Sequence, residues 1–254
     1  MESLPSLSNF YLSLTSSYLH DTTKVLGKLQ QAFLEPGSHD WHYGLEVTMR
    51  GISTQTFKVN GQATRALLDL VTHTLRLGGK YWRLCENPPA QLLAEVQNWL
   101  TEQAINTKID EPGFIAQELF YDSTGADDYA VVLWWMERQF SGLRPSLEKG
   151  TTSPILLFPH HFDLSIVWFP LQNEKQLAIG FSIGDETITE PYIYVTAYPE
   201  PGAIKGATLV NDAYWETTGF SGAVLPYSAL YSSSNPEKLL IGFTSNFISK
   251  YARI

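Results

Sequence analysis

The sequence predicts an α+β protein, with a mostly antiparallel sheet, or two related sheets, covered by about four main helices. Three observations carry this. Four stretches place apolar residues every three or four positions, as a helix with one buried face requires. Between them run short segments that alternate apolar and polar side chains, the period of a strand with one side on a core. Several of these follow one another with no helix between, one pair across Gly78-Gly79, a hairpin turn.

The first helix is read over about 7–34, where Phe10, Leu14, Tyr18, Val25, Leu26, Leu29 and Phe33 line one face and Glu35-Pro36-Gly37 ends it. His20 falls opposite that stripe, beside Lys24 and Gln31, and is expected in solvent. Trp41 to Arg50 alternates strictly, sending Trp41, Tyr43, Leu45, Val47 and Met49 one way and His42, Glu46, Thr48 and Arg50 the other. Further strands are expected at about 54–59, 65–71, 74–77 and 80–85. Asn87-Pro88-Pro89 opens a helix to about Gln103, with Leu92, Leu93, Val96, Trp99 and Leu100 buried. A third helix, about 127–141, presents Tyr129, Val132, Leu133, Met136 and Phe140. After a polar loop at 144–154, strands are expected at about 155–158, 161–169, 176–183 and 190–198. A short helical piece at 211–217, a segment from Phe220 to Tyr227 and a helix from Pro236 to Tyr251 complete the chain.

At 254 residues the chain buries roughly three quarters of its unfolded surface, enough for a core without disulfides or metal. That length fits a single compact domain, 1–254, or two packed halves, 1–122 and 123–254. The halves share an order of helix, histidine-led strand, further strands and closing helix. His42-x-x-Leu45-x-Val47 is matched by His161-x-x-Leu164-x-Ile166, a pattern that an internal duplication or strand alternation alone would produce.

A net charge of −9 with no Lys/Arg cluster argues against nucleic acid as a partner. No apolar run approaches the ~18 residues that span a bilayer, and the start lacks a basic, apolar leader. The lone Cys85, in an alternating apolar run, is read as a small buried residue in a reducing compartment. These readings place the protein in the cytoplasm, off the membrane, with its oligomeric state open.

The densest reactive chemistry lies in Phe158-Pro159-His160-His161-Phe162-Asp163. Three strands carry polar faces: His42, Glu46, Thr48 and Arg50; His161, Asp163 and Ser165; and Tyr192, Tyr194, Thr196 and Tyr198, flanked by Glu190 and Glu200. A solvated face is usually filled with Lys, Glu, Gln and Thr, whereas these residues bind ligands or move protons. Two chemistries fit. His42, His161 and Asp163 would suit a divalent metal, although no standard ligand spacing is present. Without metal, His161 would act as general acid/base, oriented by Asp163 or Glu46, with Arg50 on a substrate anion. Neither Gly219-Phe220-Ser221-Gly222 nor Gly180 to Gly184 completes a nucleophile elbow or phosphate loop.

His42 with Leu45-Glu46-Val47-Thr48-Met49-Arg50-Gly51, His161-Phe162-Asp163-Leu164-Ser165, Ala197-Tyr198-Pro199-Glu200-Pro201 and Leu225-Pro226-Tyr227 resemble, in order, the motifs of the bacterial family catalogued as domain of unknown function 5996. Tyr18-Leu19-His20 and Gly27-Lys28 are similar to its amino-terminal segment. The resemblance covers nearly the whole chain and departs near residue 40, where one tryptophan precedes His42. It implies a bacterial intracellular protein, brings no activity, substrate or cofactor, and directs attention to His20. Three functions follow: an enzyme acting on a small polar or anionic molecule, with His161, Asp163 and His42 catalytic and Arg50, Glu46, Tyr194, Tyr198, Glu200 and His20 in contact; a small-molecule binding protein using the same face; or a structural, partner-binding protein.

Overall fold

The structure, a computed structural model, describes residues 3–7, 10–115, 121–147, 150–170, 175–199 and 201–252. It is α+β with antiparallel sheets. The helices are α1 (Phe10–Gln31), α2 (Pro89–Glu102), α3 (Ser123–Leu143), α4 (Tyr227–Tyr231) and α5 (Pro236–Tyr251). The first seven strands are β1 (Glu46–Thr48), β2 (Gly51–Ser53), β3 (Phe57–Val59), β4 (Gln62–Thr64), β5 (Ala66–Asp69), β6 (Thr74–Leu77) and β7 (Lys80–Arg83). They are followed by β8 (Gly150–Thr152), β9 (Leu156–Phe158), β10 (Asp163–Pro170), β11 (Gln176–Ser182), β12 (Tyr192–Tyr198), β13 (Tyr214–Glu216) and β14 (Gly222–Pro226). The chain divides into two compact units, one of residues 9–134 with 156–162, the other of 1–8, 135–155 and 163–254.

The amino-terminal unit is built on the sheet β1-β2-β5-β6-β7. Ile52, Leu68 and Leu75 face one another across three strands and are fully buried, as a sheet with one covered side requires. Tyr18, Val25, Leu26 and Leu29 of α1 and Leu92, Val96, Trp99 and Leu100 of α2 complete this core, in the stripes read from the sequence. Gly78 and Gly79 turn the β6-β7 hairpin at positive φ.

Around residue 40 the structure corrects the expected strand. Residues 38–43 form a kinked 3-10 turn in which His39 and Asp40 are left-handed, with φ of 54° and 57°. The cause is a pair of glutamine side chains. Gln30 of α1 donates to the carbonyls of His42 and Gly44 at 2.7 and 2.9 Å, and Gln55 donates to those of Trp41 and Gly44 at 2.8 and 2.9 Å. Carbonyls that a strand would pair in a ladder are satisfied from the side, and alternation cannot register that. Only Leu45, bridged to Leu157 of β9, and β1 remain extended before the turn at Met49-Arg50.

In the carboxy-terminal unit six strands run in the order β13-β14-β12-β11-β10-β8. Leu164, Ile166 and Trp168, Leu177, Ile179 and Phe181, and Ile193, Val195 and Ala197 are buried at alternate positions. Phe243, Phe247 and Tyr251 of α5 are buried with them, Tyr251 meeting the Trp168 ring edge-on at 6.4 Å. Asn235 caps α5 by accepting from the Lys238 N–H at 2.9 Å, with Pro236 next in line. The helical piece expected at 211–217 is instead β13, an edge strand on β14, where Trp215 packs edge-on to Phe247 at 5.8 Å. Tertiary pairing overrides a three-residue local preference.

Gly180 is a fixed point of this sheet. A Cβ there would stand 2.3 Å from Cζ of Tyr194 on the neighbouring strand, so the phenol lies flat across the position where β11 has no side chain. Gly180→Ala is therefore expected to lower stability by about 1–3 kcal/mol through overpacking. A melting temperature within a degree of the parent would show that Tyr194 moves aside freely.

Candidate functional site

The residues singled out in the sequence settle in three places. On the carboxy-terminal sheet, Asp163, Ser182 and Tyr192 form one cross-strand row, and Ser165, Gly180 and Tyr194 the next. The expected polar faces of β10 and β12 thus share one side of one sheet. The Tyr194 hydroxyl, reaching over Gly180, donates to the Asp163 carboxylate, and Tyr192 donates to Asp185 at 2.6 Å. Phe220 stacks on Tyr192 and meets Tyr194 edge-on, with Ile188 and Val224 packed beside them. Burial first, then the Asp163 charge, hold the Tyr194 phenol well above its ordinary pKa. Burial would raise Asp185, but the Tyr192 hydroxyl and the Ile188 and Thr187 N–H groups outweigh it and pull it down. Each pair joins a carboxylate to a phenol, Asp163 half-buried and Asp185 exposed, and ties one strand of the sheet to its neighbours as a structural clasp would. Tyr198 is exposed near the end of this sheet and its carbonyl accepts from Tyr251 at 3.1 Å; Glu200 lies outside the described residues.

Arg50 and Glu46 belong to the amino-terminal sheet. Glu46 pairs with Arg65. Arg50 donates through Nε and Nη2 to Oδ2 of the fully buried Asp69, at 3.1 and 2.5 Å, and Arg76 reaches the same oxygen through Nε at 3.0 Å. Oδ1 of Asp69 accepts the N–H groups of Val71 and Thr72, both at 3.2 Å, and so holds the turn after β5. Nearby, His73 shares a hydrogen bond with the Tyr121 hydroxyl at 2.8 Å and faces Asp127 at 3.7 Å, tying the first turns of α3 to that turn.

The third place is the polar face of α1. His20, Lys24, Gly27, Lys28 and Gln31 recur at helical spacing, and the stretch 156–162 lies against them. Gly27 permits this approach, since a Cβ would stand 2.9 Å from Cγ of Pro159. His20, expected in solvent, is half-buried and stacks on Phe162 with ring planes 8° apart and centroids 5.1 Å apart. Its Nε2 is buried with no hydrogen-bond partner among the described residues. Burial first, then the Lys24 charge, bring its pKa down to about 4, against the opposing pull of Asp21 and of the Pro159 and His160 backbone. His20 is a neutral imidazole at physiological pH.

Beside this contact opens a cleft of about 670 Å³ lined by residues of α1 (Lys24, Gly27, Lys28, Gln31), of the 3-10 turn (Asp40, Tyr43), of Pro112-Gly113 and of Phe158-Pro159-His160. Lys24 is anchored, donating to buried Asp21 at 3.0 Å and to the Gly113 carbonyl at 2.9 Å. Lys28 makes no ion pair among the described residues. His160 is exposed, its ring 4.2 Å from that of His161.

His161 is exposed too, in the turn before β10 rather than on the strand. His42 is buried, its Nδ1 accepting from the Gly37 N–H at 3.1 Å, so the two histidines matched in the sequence meet different surroundings. Among the described residues no group of three or more His, Cys, Asp or Glu side chains could hold a metal ion, so His42, His161 and Asp163 are not brought into such a group. Cys85 is exposed, because β7 ends at Arg83 and the chain leaves the sheet in a 3-10 turn.

The profile of a family described as "Family of unknown function (DUF5996)" matches residues 4–176 and 171–253. The chain belongs to this family. No curated protein and no solved structure matches it. Both family motifs seen in the first helix, Tyr18-Leu19-His20 and Gly27-Lys28, fall on the part of α1 that the 158–162 stretch covers. The sequence reading missed Tyr43, Pro112 and Gly113 as cleft residues, and their approach to α1 is made by a turn and a segment without periodicity.

Proposed function

We propose that this DUF5996 protein binds a small anionic organic molecule in the cleft beside α1. The observation that carries the reading is the lining itself. Tyr43, Pro112, Phe158 and Pro159 offer apolar walls, while Lys28, Lys24, Gln31 and His160 offer a few polar groups, in a space of the size that small ligands fill. Lys24 is spent on Asp21 and Gly113, so Lys28, with His160, is the group for a carboxylate or phosphate, and Asp40 excludes a second negative charge. The two readings that share a ligand pocket, enzyme and binding protein, meet here; the binding reading has the better support, because the cleft shows a lining and no nucleophile paired with a base. In the catalytic reading, proton transfer by His161 would belong to the same stretch of chain.

No helix among the described residues is long and apolar enough to cross a membrane. The single cysteine and the acidic balance support a bacterial cytoplasmic protein whose partner is a small molecule rather than nucleic acid.

Calorimetric titration with phenyl phosphate and with benzoate tests the reading. Lys28→Gln is expected to weaken binding about tenfold, the worth of one charge-assisted hydrogen bond, and Lys28→Arg to restore most of it. Equal affinity in parent and Lys28→Gln, or no heat from either probe at millimolar concentration, would remove the cleft as the ligand site.

A further inference from the structure

We infer a second, independent oxyanion site on the open face of the amino-terminal sheet, formed by Arg50 and Arg76 and suited to a phosphate group. Cross-strand register builds that face. One row runs Thr48, Gly51, Asp69, Thr74, Arg83, and the next Glu46, Ser53, Leu67, Arg76, Tyr81. Most charges on it cancel locally: Arg65 with Glu46, and Arg83 with Glu86 at 3.1 Å. The exception is Asp69, which faces two guanidiniums with one carboxylate.

One arginine would neutralise Asp69. The second brings a like charge to the same oxygen atom, which is unfavourable unless something else is balanced there. Asp69 also accepts the Val71 and Thr72 N–H groups through Oδ1, so its second oxygen is occupied and the two guanidiniums share Oδ2 with one positive charge in surplus. Arg76 is further held by the Thr74 and Thr72 hydroxyls at 3.3 and 3.2 Å, and those hydroxyls are 2.9 Å apart. Both guanidiniums are thereby fixed in direction while their side chains stay 48% and 47% exposed. Arg50 spends Nε and Nη2, and Arg76 spends Nε and Nη2, which leaves Nη1 of each without a protein acceptor among the described residues. Two rigid donors, one surplus positive charge and neighbouring hydroxyls are what phosphate recognition by arginine needs. In a chain of net charge −9, anions are repelled at large, so an anion bound here would be held by these local donors rather than by the general field.

Amide NMR of the full chain, titrated with inorganic phosphate at constant ionic strength, tests the site. The expected result is a saturable shift of the Val71, Thr72 and Thr74 amides in the millimolar range. That shift is lost in Arg76→Gln, and in Arg50→Gln should the first variant fold poorly, while Lys28→Gln keeps it. Acetate should bind several-fold more weakly. A shift that grows linearly without saturating, or one unchanged in both arginine variants, overturns the site; equal affinity for acetate overturns the phosphate assignment. Because Lys28→Gln reports only on the cleft and the arginine variants only on this face, failure of one reading leaves the other standing.

Discussion

Asp69→Ala is expected to destabilise the protein by about 2–4 kcal/mol, the larger of the losses foreseen here, because the variant strands two arginines and two turn N–H groups at once. In a chain of this length that corresponds to a melting temperature lower by roughly 5–15 °C. The arginines are half exposed and regain water, which keeps the loss below that of a fully buried ion pair. Asp69→Asn retains an oxygen for Val71 and Thr72 and should lose about half as much. The pH dependence has a definite sign. Burial raises the Asp69 pKa, but Arg50 and Thr72 outweigh it and leave it below the ordinary value. A depressed carboxylate stabilises the fold above its unfolded pKa and loses that contribution as pH falls through the folded one, so the Asp69 limb lies below about pH 4. Denaturant unfolding at pH 7 and pH 3 measures both effects. A parent protein and Asp69→Asn variant that lose stability in parallel on acidification would show that Asp69 carries no such linkage.

Asp69 was invisible to the sequence reading, and its invisibility is instructive. It ends an otherwise apolar strand, Ala66-Leu67-Leu68-Asp69, and looks like an ordinary strand terminus; only the register that brings Arg50 and Arg76 to it gives it a role. Arg50 was legible as an anion-binding type, because guanidinium chemistry is local, but its partner was not. The same division holds elsewhere. The burial of Leu92, Val96 and Trp99 on α2, the Gly78-Gly79 hairpin and α5 from Pro236 to Tyr251 follow from periodicity and end signals, which short-range sterics enforce. The side-by-side placement of Asp163 and Tyr194 follows from two alternating strands lying in one sheet. The turn at His39-Asp40 and the exposure of Cys85 do not, because distant glutamines and the end of a strand decide them. For the candidate site, the Phe158-to-His161 stretch was marked by its residue types, whereas the wall facing it required knowing that the polar side of α1 is turned inward.

His20 shows what that turning costs and what it offers. Its imidazole is ordinary near 6.5 when exposed and falls to about 4 in the fold, because burial against Phe162, with Lys24 a turn away, disfavours the cation. For a base whose folded pKa is depressed, the unfolded chain takes the proton first, so stability is highest above pH 6.5 and is lost as pH falls from there to about 4. The loss over that window is roughly 2–3 kcal/mol, separate from the Asp69 limb at lower pH. His20→Phe keeps a ring for Phe162 and should flatten the curve between those two pH values while leaving the drop below them. A parent protein as stable at pH 4.5 as at pH 7 would show that His20 takes a proton in place. The same proton bears on function: Pro159 and His160, whose backbone favours the His20 cation against the penalty of burial, form one wall of the cleft, so charging the ring alters what that wall is held against. Phenyl phosphate affinity in the parent should therefore fall between pH 6.5 and pH 4 by more than in His20→Phe, where the wall has no buried charge to accommodate.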